Sequence, residues 1–352
     1  MGRSATSPAL SFAPARSYET GTDPLSVAIG DVNGDGKPDL VTVNFAANTV
    51  SVLANRGDGS FRARHDYPTG IEPNSVAIAD LNGDRKPDLA VANDFAPTFS
   101  VFVNKGDGSF ESRLDYKIGR VPDSIAIGDL NGDGKPDLAT ANPQSNTISV
   151  LANGSFRAKA RHDYRTGGAP HSIGVRDLND DGKLDLATAN AGSSTISVLM
   201  NKGNGSFRRS RDYRIGSLPR SMAIGDLNRD GKPDLVTANA DSNTISVLIN
   251  KGNGSFHASR DYLSESEPFS VAIGDLNGDG KLDLVSTNQT AKTVCVLVNG
   301  GNGRFRARRN YRTGRSARSV VIGDVNGDRK LDLVTANSST NAVSVLLNTS
   351  GK

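Results

Sequence analysis

The stretch "DVNGDGKPDL" at residues 31–40 gathers Asp31, Asn33, Asp35 and Asp39 into nine residues. It returns as "DLNGDRKPDL" from Asp80, "DLNGDGKPDL" from Asp129 and "DLNDDGKLDL" from Asp177. It returns again as "DLNRDGKPDL" from Asp226, "DLNGDGKLDL" from Asp275 and "DVNGDRKLDL" from Asp324. The steps are 49, 49, 48, 49, 49 and 49 residues. A fixed period of this length marks a repeat architecture, in which one supersecondary unit recurs and buries its faces against its neighbours.

Each unit reads as four short strands. In the first, "SVAIGD" alternates and is β-branched, and is called strand A. After the acidic loop come "DLVTVN" (strand B) and "VSVLAN" (strand C), joined by the turn "FAANT". A Gly/Asp turn, "RGDGS", leads to the more polar "FRARHDYPTG" (strand D). No segment has a helical period. Seven such units predict an all-β, seven-bladed β-propeller with four-stranded blades.

Strand D carries a Phe and a Tyr at even spacing, hence on one face: Phe61/Tyr67, Phe110/Tyr116, Phe156/Tyr164, Phe207/Tyr213, Phe256/Tyr262 and Phe305/Tyr311. The seventh unit has no such pair. The missing one is Phe12/Tyr18, so residues 11–18 are expected to supply strand D of the last blade and close the ring. All seven tyrosines of the chain fall in this slot. The expected domain is 11–348, with a flexible start (1–10) and a tail (349–352). In unit three the C–D turn is shorter and strand D two residues longer, which predicts a local bulge without loss of a blade.

Three carboxylates per loop account for 21 of the 38 acidic residues. Like charges 4 Å apart repel by about 4 kcal/mol at an effective dielectric near 20. Oxygen-only donors at odd-numbered spacing point to Ca²⁺ in each loop, up to seven in all. Positions 1, 3, 5 and 9 offer side-chain oxygens. These are Asp31, Asn33, Asp35 and Asp39; Asp80, Asn82, Asp84 and Asp88; Asp129, Asn131, Asp133 and Asp137; Asp177, Asn179, Asp181 and Asp185. The last three loops offer Asp226, Asn228, Asp230 and Asp234; Asp275, Asn277, Asp279 and Asp283; Asp324, Asn326, Asp328 and Asp332. Position 7 would give a backbone carbonyl, from Lys37, Lys86, Lys135, Lys183, Lys232, Lys281 and Lys330, leaving the ammonium free to face solvent. Position 12 is never Glu and the flanks are strands, so the loop is not an EF-hand. Position 6 needs φ > 0. It is Gly in five loops but Arg85 and Arg329 in the second and seventh, which are expected to bind about fivefold more weakly.

The loop, the "SVLxN" strand and the "GDGSF" or "GNGSF" turn resemble FG-GAP/VCBS-type repeats over residues 11–348. Similar repeats build the seven-bladed heads of integrin α subunits and certain fungal propeller lectins. The resemblance implies the propeller and calcium. The literal Phe-Gly…Gly-Ala-Pro string is absent, and position 3 is Asn where the family often has Asp.

Net charge is +3, which names no partner, and the single Cys295 excludes an intrachain disulfide. No run of 18 apolar residues exists, so no transmembrane segment is expected, and no motif supports specific nucleic-acid binding. The acidic loops and C–D turns are expected on one face, the variable D–A and B–C loops on the other. The histidines of strand D are expected to lie on different blades, so no acid–base constellation is foreseen. The leading expectation is a non-catalytic, calcium-binding extracellular or cell-surface module for carbohydrate or a surface protein. A self-assembling scaffold is the alternative, and a polysaccharide-acting enzyme the weaker one.

Overall fold

The computed structural model describes residues 10–118, 120–152 and 161–351. Seven four-stranded antiparallel sheets stand around a central axis. In the first blade, strand A is Pro24–Gly30, B is Asp39–Asn44, C is Thr49–Leu53 and D is His65–Pro68. The last blade is made of Ala317–Gly323, Asp332–Asn337 and Ala342–Leu346, with the N-terminal strand Arg16–Glu19 as its D. That strand pairs Arg16 with Val345 and Glu19 with Ala342, as the ring-closure reading expects. Two short 3-10 turns, Pro143–Ser145 and Ser338–Thr340, are the only described helical elements.

Strand B is buried at every position of every blade. The period-2 alternation explains why. Leu40 packs with Val334 and Val345 of the last blade, while Val41 and Val43 pack with Val76 and Val91 of the second. Both faces of each blade are therefore covered, and seven apolar clusters fill the seven blade-to-blade interfaces.

The Phe/Tyr pairs work across blades, not along one strand. Tyr18 meets Phe61 edge-on with ring centroids 5.3 Å apart, and its hydroxyl donates to the Gly59 carbonyl of the next blade. Tyr67–Phe110, Tyr164–Phe207, Tyr213–Phe256 and Tyr262–Phe305 repeat the contact. Tyr311 meets Phe12 at 4.9 Å and donates to the Leu10 carbonyl, so the aromatic series runs through the closing strand. Leu10 is itself buried against the last two blades. At the other end, Thr349 N–H donates to the Ser11 carbonyl. Blade three keeps its four strands. Its expected bulge at 153–160 and the start of the expected flexible segment lie outside the described residues.

Candidate functional site

Each acidic loop is closed by its own first aspartate. Asp31 Oδ1 accepts from the N–H of Gly34 (2.8 Å) and Asp35 (3.1 Å), and Oδ2 from that of Gly36 (2.8 Å). Asp80 does the same for Gly83, Asp84 and Arg85. Burial works against the Asp80 and Asp129 carboxylates, but this cradle of backbone N–H groups holds both below the usual carboxylate range. The tight turn needs φ > 0 at position 6, as the sequence requires: +80° at Gly36, and +67° and +66° at Arg85 and Arg329. It needs φ > 0 at position 4 as well, where Gly34 has +74° but Asp180 and Arg229 have +62° and +64°. Four loops, not two, thus carry a side chain in the left-handed region.

The ninth residue opens strand B and is fully buried. Asp39 Oδ2 accepts from Val32 N–H and Oδ1 from Asn55 N–H. Burial, then the charges of the position-5 and position-1 aspartates in the same loop, push these carboxyls up, to about 6 at Asp185, Asp234, Asp283 and Asp332. The lysine side chain is partly open to solvent in most loops, and its ammonium reaches back to its own loop: Lys37 Nζ lies 3.7 Å and Lys281 Nζ 2.9 Å from the position-5 carboxylate. Its stem crosses the C–D turn, where a Cβ on Gly57 would meet Lys37 Cδ at 3.0 Å.

The donor chemistry suits a hard divalent cation. A carboxylate has about four lone-pair positions, so Asp31, accepting three N–H groups, keeps one, and Asp35 Oδ2 and Asn33 Oδ1 keep others. Against the three carboxylates common to every loop stands one lysine, joined by Arg85, Arg229 and Arg329 in the second, fifth and seventh loops, while Asp180 adds a fourth carboxylate to the fourth. Among the described residues, however, no three acidic side chains converge on one point. A cation would have to draw the position-5 carboxylate away from its lysine.

The asparagine that closes the "SVLxN" pattern of strand C has a role that its sequence position does not reveal. Asn55 Nδ2 donates to the Pro38 carbonyl of its own loop (2.7 Å) and to the Val325 carbonyl in the loop of the preceding blade (2.9 Å). Asn104, Asn201, Asn250, Asn299 and Asn348 make the same link between neighbouring loops. The tripeptide Arg56-Gly57-Asp58 is part of the C–D turn, with Asp58 Oδ1 accepting from Ser60 N–H.

The opposite face opens into the central channel through a cavity of about 390 Å³. In six blades strand A starts there at a proline or alanine, and the ladder skips the next residue in a β-bulge, as between Pro24 and Ser26 or Pro219 and Ser221; in the third blade the strand starts at Ser124, just after Asp123, without a bulge. A bulge re-aims a side chain. Leu25, Asn74, Asp123, His171, Arg220, Phe269 and Arg318 all line the mouth, one from each blade, and no two neighbouring blades agree. The serine that follows lines it too, and its Oγ accepts a backbone N–H from the next blade, as Ser172 does from Met222 at 3.1 Å.

The repeat signature decides the family. A model of the FG-GAP-like repeat matches residues 31–91, 80–140, 129–188, 177–237, 226–286 and 275–335. The chain belongs to the FG-GAP-like repeat family. Among solved structures, BBS1N in complex with ARL6DN shares 12% identity over 97% of this chain and 98% of that one, at TM-score 0.70. An Agrocybe aegerita lectin described as recognising non-reducing terminal N-acetylglucosamine shares 19% over 90% and 86%, at TM-score 0.58. Kuenenia stuttgartiensis hydrazine synthase shares 18% over 93% and 96%, at 0.64. At these identities the likeness is one of fold. A search of curated proteins finds no match to the sequence.

Proposed function

We propose that this FG-GAP-like propeller is a calcium-dependent, non-catalytic recognition module, working outside the cell or at its surface, with carbohydrate or a surface protein as partner. The observation that carries it is the division of labour between the two faces. Seven loops repeat one oxygen-donor set and one backbone fold, while the channel mouth shows a different side chain from each blade. A frame that is held constant and a surface that is varied suit binding better than assembly of identical units. Calcium would be held by the aspartates at positions 1, 5 and 9, the position-3 asparagine and the position-7 carbonyl. Extracellular modules tolerate weak calcium sites because the ion is abundant there. The Agrocybe aegerita lectin supports carbohydrate as the first class to try.

The test is a glycan and surface-protein array probed with calcium-loaded protein and again after chelation. Ligand signal that chelation abolishes is expected. Folded, calcium-loaded protein that binds nothing on either array, or a signal indifferent to chelation, would overturn the reading.

A further inference from the structure

The channel mouth is chemically bipolar. On one side, the guanidinium carbons of Arg318 and Arg220 stand 4.6 and 5.7 Å from the centroid of the Phe269 ring. Arg318 Nε is buried and without a hydrogen-bond partner, and burial lowers this side chain from its usual pKa. On the other side lie Asp94 and Asp123, while the lining carboxylate near the arginines is Asp23, whose charge acts on Arg318. Asp123 is already engaged, by Asn74 Nδ2 on one oxygen and His171 Nδ1 on the other. In the neutral tautomer that donates Nδ1–H to Asp123, His171 keeps Nε2 as an acceptor, and Arg220 Nη1 lies 3.5 Å from it. Asn74, Asp123, His171 and Arg220 thus form one braced arc over four successive blades. Beneath it runs the serine ring. Each serine oxygen that accepts from the next blade keeps its own proton to donate, at Ser75, Ser124, Ser172, Ser221 and Ser270 among others.

An aromatic plate with two guanidinium groups and a floor of hydroxyl donors is built for an oxyanion, most of all a planar carboxylate. The unbraced Asp94 is an acceptor across the mouth, suited to the hydroxyls of the same ligand. The cavity holds one or two sugar rings by volume. We infer that the channel mouth binds an acidic sugar, its carboxylate on Arg220 and Arg318 and its hydroxyls on Asp94 and the serine ring. This rests on the recognition reading above and names the ligand class of that face.

The test titrates sodium glucuronate, glucose and acetate calorimetrically into full-length, calcium-loaded protein. Glucuronate is expected to bind one to one, with glucose and acetate each at least about tenfold weaker. Arg220→Ala is expected to weaken glucuronate about tenfold or more. Because Arg318 is half-buried, Arg318→Lys is its variant: it keeps the charge, loses the planar fork and should weaken binding by a similar factor. Arg209→Ala, far out on the rim, should change nothing. The inference is overturned if glucose or acetate matches glucuronate, if glucuronate gives no binding, or if folded Arg220→Ala binds as the parent does. A neutral glycan or a protein captured on the arrays and unaffected by Arg220→Ala would sink this inference and leave the recognition reading standing.

Discussion

The loop face and the channel mouth are built on the same seven strands, yet they obey opposite rules. At the loops, backbone geometry dictates the residues: an aspartate to cradle three N–H groups, residues tolerating φ > 0 at positions 4 and 6, and a buried aspartate to start strand B. At the mouth the bulge dictates only a direction. The side chain it aims inward is free, and ranges from Leu25 to His171 to Arg318. Repetition marks what the fold needs, and its breakdown at one position per blade marks what the fold leaves open.

The largest test of that division is removal of the metal. If the loops hold calcium, chelation exposes seven clusters of like charge at once. Thermal unfolding should fall by many degrees, with recovery on adding calcium back; even one site at a hundredfold excess over its Kd contributes about 2.7 kcal/mol. An unchanged melting curve would make the loops self-sufficient turns.

Next comes the link between loops. Asn250→Ala removes two buried donors to the Leu178 and Pro233 carbonyls, and should cost about 3 kcal/mol by denaturant titration. A loss under about 1 kcal/mol would show that neighbouring loops are not coupled through this residue.

Asp94→Asn probes the mouth. Burial, then the charges of Asp123 and Glu72, push Asp94 up to about 6. The folded state therefore holds this proton more tightly than the unfolded chain. Stability from this group falls as pH rises between about 4 and 6, and the penalty is complete above that. Asp94→Asn should be neutral near pH 4 and stabilising near pH 8 by about 1 kcal/mol, after allowing for solvent screening. Equal melting shifts at both pH values would refute it.

The smallest effect belongs to loop strain. Arg85→Gly and Arg329→Gly should each stabilise by about 0.5–1 kcal/mol, the relief of φ > 0 outweighing the entropy of glycine. Arg229→Gly should match them, whereas a reading based on position 6 alone makes it neutral.

Much of this was legible in the sequence because it is local. A period near 49 residues, strand alternation and the displaced Phe12/Tyr18 pair suffice for seven blades and the closing strand. What escaped is non-local. Phe61 and Tyr67 read as one strand, but Phe61 forms an isolated bridge to Asn55 ahead of His65–Pro68, and each ring finds its partner on a different neighbouring blade. The role of Asn55 depends on a carbonyl 270 residues away in sequence. Position 4 was readable, since five of its seven residues are glycine. His171 could be recognised as a mouth residue only once the bulge after Pro170 was known. The reach of Lys37 back to Asp35, across Gly57, is likewise a contact that the spacing alone does not give, although its side chain stays partly open to solvent.

The N-terminal strand has a kinetic consequence. Ser17 and Ser344 are paired across 327 residues and Ser11 and Ser350 across 339, separations that make closure by this segment costly to form and late to be secured. Until it forms, the outer edge of Ala342–Leu346 lies open, and the same strand from a second molecule fits it equally well. Refolding at high concentration should therefore yield exchanged dimers, each ring latched by the other's leading segment.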